Sequence, residues 1–270
     1  MHPRTKIEWT EATWNPVTGC TRASAGCDNC YAVRHTFRLE SCGQSKYAGL
    51  TVLNRRGQRH FNGVVKCHEG DLGRPYQWKK PAVIFVNSMS DLFHPAVPDE
   101  FVRRVFDVMV DCPHHTFQIL TKRPERAANL RRILPWPGNV WLGTSVENNE
   151  VTDRVHALRE TRAAIKFLSV EPLIGAISAL PLAGIDWVIT GGESGAAARP
   201  LDPLWVRRIR DRCVRFGVPH FFKQWGRLSN NPDPSDPTAK ENGGTAKGGR
   251  LLDGLTWDEM PVSIAPAAVA

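Results

Sequence analysis

A chain of 270 residues, 41% hydrophobic and 23% charged, can build one large core or two modest ones, which excludes a disordered or fibrous polypeptide. No apolar stretch approaches a membrane span, and the N-terminal MHPRTKIEWTEATWNP has no signal-like apolar run, so a cytoplasmic, non-membrane protein is expected. The net charge is +8, with residues 1–226 carrying +10 and the remainder −2; such a basic body suits polyanionic partners, most simply nucleic acid.

The first predicted element is a strand around TWNPVTG (13–19), followed by the cysteine-rich GCTRASAGCDNCYA (19–32). Residues 38–80, rich in Gly, Arg and His, read as an irregular insertion, the kind of long segment that serves more often as a binding element than as plain loop. From residue 82 a unit repeats: a β-branched or aromatic run, a polar cluster, then a helical stretch. The runs are AVIFVNS (82–88), TFQILT (116–121), NVWLGTS (139–145), IKFLSV (165–170), DWVITGG (186–192) and HFFKQW (220–225). Near-continuous apolar runs of this kind suit strands buried on both faces of a parallel sheet. Helices are predicted at 98–111, 124–134, 148–162 and 203–216. Pro98, Pro124 and Pro203 stand at or near their starts, where a missing N–H costs nothing. The alternation predicts an α/β fold, a partial (β/α) TIM-like barrel of about six or seven parallel strands. Residues 1–228 form that barrel with its insertion, and 229–270 a loop-rich extension whose RLLDGLTWDEMP docks back.

In such folds, functional groups gather at the carboxyl ends of the strands. Here those ends carry Ser88 and Asp91, Lys122 and Arg123, Ser145 and Glu147, Glu171, Glu193 of GGESG (191–195), and Lys223. Capping and turn chemistry accounts for some of them singly. The recurrence of carboxylates, a Lys-Arg pair and a Gly-Gly-Glu turn at one end points to a polar mouth.

Cys20, Cys27 and Cys30 follow C-x6-C-x2-C, and Cys42, Cys67, Cys112 and Cys213 are scattered. An odd total argues against a disulfide framework. A structural zinc site wants four ligands, so the trio would need His35, Cys42 or a distant residue. A [4Fe–4S] cluster on three cysteines keeps one iron open to chelate the amino and carboxylate groups of S-adenosylmethionine, which an electron then cleaves to a 5′-deoxyadenosyl radical.

GCDNCYA is similar to the cluster loop of the radical S-adenosylmethionine superfamily. FQILTKRPERAANL and VWLGTSVENNEVTDRV resemble strand–helix elements of its spore-photoproduct-lyase-like branch. With TKIEWTEATWNPVTGC and GRLLDGLTWDEMP, nearly the whole chain resembles a phage- and bacteria-associated family of three-cysteine-motif proteins, often found beside a methyltransferase-like partner. The superfamily's usual spacing is C-x3-C-x2-C, so three extra residues separate Cys20 from Cys27 here. Its Gly-Gly-Glu element normally follows the second strand, where this chain has NSMSD.

The resemblance implies a [4Fe–4S] cluster on Cys20, Cys27 and Cys30, bound S-adenosylmethionine, an external electron donor, and radical repair or modification of nucleic acid. Ser88, Asp91, Lys122, Ser145, Glu147, Glu171 and Glu193 are the expected cofactor contacts. Arg55, Arg56, Arg59, His60, Arg123 and Lys223 are the expected phosphate contacts. The alternative is a non-catalytic nucleic-acid-binding protein with a structural zinc or iron–sulfur site.

Overall fold

The computed structural model of the protein describes residue 5 and residues 7–195, 197–240 and 248–262. From the N-terminus, β1 (Ala12–Trp14) leads to a short β2 (Val17–Thr18), the cysteine loop and α1 (Tyr31–Ser41). A hairpin of β3 (Thr51–Leu53) and β4 (Arg59–Phe61) follows, then β5 (Lys66–Cys67) and the single turn α2 (Glu69–Leu72). The regular alternation is β6 (Val83–Val86), α3 (Asp99–Asp111), β7 (Thr116–Thr121), α4 (Pro124–Asn129), β8 (Val140–Ser145), α5 (Arg154–Arg159) and β9 (Ile165–Val170). It ends with β10 (Trp187–Gly191), α6 (Pro203–Phe216) and β11 (His220–Gln224).

Seven strands form one sheet in the order β1-β6-β7-β8-β9-β10-β11, and every neighbouring pair is parallel. The sheet curls, but no pairing among the described residues joins β11 to β1, so the barrel is a half-barrel. The six strands predicted from apolar runs at 82–225 match the observed ones within two residues, whereas the strand expected around 13–19 is divided into β1, in the main sheet, and β2, which pairs with β5.

Alternation along the strands sorts two cores. Leu168 and Val170 of β9 face the helices and join Phe101, Val105, Phe106 and Met109 from the buried face of α3. Ile165 and Phe167 face inward, with Phe85, Trp141, Trp187, Ile189 and Phe221. Trp9 plugs this inner cluster, its ring centroid 4.8 Å from Phe85 and 6.3 Å from Trp187. Gly143 makes the packing possible, because a Cβ there would stand 2.4 Å from the Phe167 ring.

Two predicted helices are shorter than expected. The first stops at Asn129. In the second, Asn148 Oδ1 accepts the Glu150 N–H and Thr152 Oγ1 bonds back to Asn149 O. That local capping yields a 3-10 turn before α5, because short polar side chains compete with helical hydrogen bonds. Helix α6 has the expected ends: Asp202 caps the Leu204 N–H, Pro203 takes the first position, and Gly217 closes in the left-handed region at φ 65°.

The insertion is ordered rather than irregular. β5 pairs antiparallel with β2, and β3 with β4. Strands of two or three residues are too short to show a readable period. The chain's last described segment lies against β11: Phe222 N–H donates to Trp257 O, and His220 N–H to Glu259 Oε2. These bonds cover the otherwise open edge of β11. The parts of the predicted extension at 241–247 and 263–270 lie outside the described residues.

Candidate functional site

The inward face changes character along each strand. Above the aromatic floor, the same period-2 register brings in Lys122, Ser145, Ser169, Glu171 and Lys223. Ser145 and Ser169 are directly paired neighbours. Together with Trp9, Phe85 and Leu120 from the floor, these residues line a cavity of about 390 Å³. Its remaining wall includes Gly26, Cys27, Cys30, Tyr31, Gly192, Glu193 and Gln224.

Three buried carboxylates, each from a different strand end, clamp the cysteine loop over this cavity. At the first, Asp91 Oδ2 receives Arg123 at 2.9 Å, and the other arm of the guanidinium donates to Thr21 O and Oγ1 at 3.1 and 2.8 Å. The same guanidinium lies 3.9 Å from Cys20 Sγ. At the second, Glu147 accepts Ser24 Oγ at 2.8 Å and is paired with Lys122 at 2.9 Å and Arg154 at 3.0 Å. Burial pushes the Glu147 carboxyl up, but Lys122, Arg154 and the Ser24 hydroxyl outweigh it and hold it below the ordinary carboxylate range. Gly26 crosses this carboxylate so closely that a Cβ would stand 2.4 Å from it.

At the third clamp, Asn29 Nδ2 donates to Glu193 at 2.9 Å, and Arg199 grips the same carboxylate with two guanidinium bonds and its own N–H. The Glu193 carboxyl is likewise depressed, burial being overcome by Arg199 and Asn29. Thus Thr21, Ser24 and Asn29, spaced through the loop, each meet one carboxylate system. The three residues by which Cys20–Cys27 exceeds the common spacing lie within the stretch that makes the first two contacts.

All seven cysteines are unbridged. Burial, reinforced by Asp91 and opposed by Arg123, pushes the Cys20 thiol up to about 12; burial also raises Cys30. Among the described residues, no three His, Cys, Asp or Glu side chains converge as ready ligands of a single metal ion, with or without His35 or Cys42.

The predicted residues divide into distinct roles. Lys122, Ser145, Glu171, Glu193 and Lys223 border the cavity, and Lys223 Nζ bonds Glu171 Oε1 at 2.7 Å. Asp91, Glu147 and Arg123 stand behind the loop instead, as its anchors. Ser88 supports the cavity wall from outside: its carbonyl accepts the Tyr31 hydroxyl at 2.6 Å. Arg55, Arg56, Arg59 and His60 lie on the β3–β4 hairpin, outside the cavity lining. The glycine pair is explained half by packing: a Cβ on Gly192 would lie 2.1 Å from Trp225 O, whereas Gly191 has ordinary space beside Lys223 and Glu171.

Sequence reasoning missed Thr21, Ser24 and Asn29 as loop anchors, and Arg199 as the partner of Glu193. It also missed Trp9 Nε1 and Gln224 Oε1, buried polar atoms on cavity-lining residues with no hydrogen-bond partner among the described residues. In a cavity wall such atoms are open to a bond from a ligand or water.

A family model described as "Protein of unknown function (DUF5131)" matches residues 4–261. The chain belongs to this family. No curated protein and no solved structure matches it. The family's description assigns no chemistry, so the functional argument rests on the site itself.

Proposed function

We propose that the protein holds a [4Fe–4S] cluster on Cys20, Cys27 and Cys30, binds S-adenosylmethionine in the adjoining cavity, and acts as a radical enzyme on nucleic acid. The observation that carries this reading is a loop of three unbridged thiols, clamped at three points, with Cys27 and Cys30 in the wall of a cavity at the carboxyl end of a parallel half-barrel.

The donor set fits a cluster better than a single ion. In a cubane each thiolate binds a different iron, so the sulfurs stand farther apart than the ligands of one tetrahedral zinc. Three thiols on one loop supply ligands for three of a cubane's four irons, whereas a structural zinc site would want a fourth ligand. When bound, such a centre supplies one electron that breaks the sulfonium C–S bond, giving methionine and a 5′-deoxyadenosyl radical.

The chain's own residues would do the rest. Trp9, Phe85, Leu120 and Tyr31 offer apolar surface to an adenosyl group and exclude water. Trp9 Nε1 and Gln224 Oε1 offer an unused donor and acceptor. Glu171 and Lys223 present opposite charges, matching the ammonium and carboxylate of an amino-acid moiety. A one-electron donor must come from outside.

Anaerobic reconstitution with iron and sulfide, followed by chemical reduction with S-adenosylmethionine, is expected to release 5′-deoxyadenosine and methionine. A protein that takes up zinc stoichiometrically on the trio and no iron would support the structural-site alternative and overturn this reading.

A further inference from the structure

The distribution of charge on the surface is uneven in a way the cavity does not explain. Residues 31–66 hold seven lysines and arginines against a single acidic residue, Glu40, which is +6 of the chain's +8. Several exposed or half-buried arginines elsewhere meet carboxylates: Arg22 with Asp28, Arg103 with Asp107, Arg104 with Glu69, Arg207 and Arg210 with Asp253, Arg250 with Asp258. Exposed arginines without an ion pair among the described residues, such as Arg132, Arg162 and Arg215, also occur there, but outside any such concentration of positive charge. In this segment Arg34, Arg38, Arg55, Arg56 and Arg59 form no ion pair among the described residues.

These cations are built into a firm support. A small core of Ala32, Tyr47, Leu50 and Met89, with Leu39 and Phe61 against it, ties α1 to the hairpin. The Arg59 guanidinium lies 3.7 Å from the Phe37 ring centroid. At the hairpin tip, Asn54 Oδ1 accepts the N–H groups of Arg56 and Gln58. Gly57 turns at φ 73°, so Arg55 and Arg56 project from an ordered turn. Apolar surface lies among the charges, with Phe37, Val52 and Leu53 each more than 40% exposed.

The surface also reaches the mouth. α1 begins one residue after Cys30, Tyr31 lines the cavity, and Arg34 donates to Ser194 O on the loop after β10. Tyr31, Arg34 and Arg38 share one exposed helical stripe, by the spacing of three and four residues.

From these observations we infer that α1 and the β3–β4 hairpin form a binding arm for single-stranded nucleic acid, which leads the strand to the cavity mouth. Unpaired arginines supply phosphate contacts and the interleaved, exposed Phe37 supplies a stacking face, the combination that holds single strands without base-edge readout. A duplex offers its phosphates but not its base faces, so it uses only half of this surface. The link from the arm to radical chemistry rests on the function proposed above; the binding itself does not.

The test is fluorescence anisotropy with labelled single-stranded and duplex oligonucleotides of equal length, titrated at several salt concentrations. The wild-type protein is expected to prefer the single strand, with log K falling linearly against log salt. The Arg55→Ala/Arg56→Ala double variant should lower that slope by about 1.4, at about 0.7 for each lost single-strand contact, while Arg55→Lys/Arg56→Lys restores it. Phe37→Ala should weaken binding about 5- to 150-fold, from a stacking loss of about 1–3 kcal/mol, without changing the slope.

Unaltered binding by the double alanine variant, tighter binding to duplex, or equal affinity for polyglutamate would each overturn the arm. Iron content of the same preparations keeps the two proposals apart. Binding without a cluster would sink only the radical chemistry, and a cluster without binding only the arm.

Discussion

Arg123 is the residue on which the cysteine loop turns, because one guanidinium joins Asp91, Thr21 and the neighbourhood of Cys20. Its side chain and that of Asp91 are only 16% and 7% exposed. Arg123→Ala therefore strands a buried carboxylate, and we expect a loss of about 3–5 kcal/mol in urea unfolding. In the metal-free protein the same variant should alkylate Cys20 faster, measured by mass spectrometry, since the loop loses its first anchor. Gly26→Ala drives a methyl group into Glu147 and should free the loop's middle, again read as faster thiol alkylation. Cys30→Ala tests ligation: reconstituted variant is expected to lose the iron chromophore while retaining its far-ultraviolet circular dichroism. These anchors were hard to see in the sequence. Asp91, Glu147 and Glu193 were legible as polar strand ends, but nothing local to Thr21, Ser24 or Asn29 announces a carboxylate more than 60 residues away.

Elements were legible where burial imposes a period. The strands of the sheet announced themselves because each is buried on both faces, and α3 and α6 because one face is apolar over more than three turns. The short strands of the insertion did not, since two or three residues specify no period and their pairing is set by partners elsewhere in the chain. The C-terminal segment shows how an element can depend on a few charges. Arg207 and Arg210 bond Asp253, hold its carboxyl below the ordinary range, and tie the segment to α6. The folded pKa is depressed, so this contribution is complete above the unfolded value of about 3.9 and is lost as pH falls through the lower folded value. Hydrogen exchange of the amides of Phe222 and Trp225, which bond this segment, is expected to be unchanged from pH 7 to pH 5 once corrected for intrinsic rates. Their protection should fall below about pH 4, and an Asp253→Asn variant should show lower protection at pH 7 as well.

At the scale of the whole molecule, a curled parallel sheet gathers an aromatic floor and a polar mouth on one concave face, then hangs a cysteine loop over the mouth by three carboxylates. The fold class and the end of the sheet that matters followed from strand alternation and strand-end polarity. The cavity-lining Trp9 owes its place to packing of the N-terminal segment against β6, β9 and β10, and no pattern in the chain discloses that. The most direct test of the central claim is electron paramagnetic resonance of the anaerobically reconstituted, reduced protein, recorded with and without S-adenosylmethionine. The account predicts a [4Fe–4S]⁺ signal whose g values shift when S-adenosylmethionine is added, because the ligand reaches the iron that no cysteine holds. A protein without an iron signal, or with one that S-adenosylmethionine leaves unmoved, would contradict it.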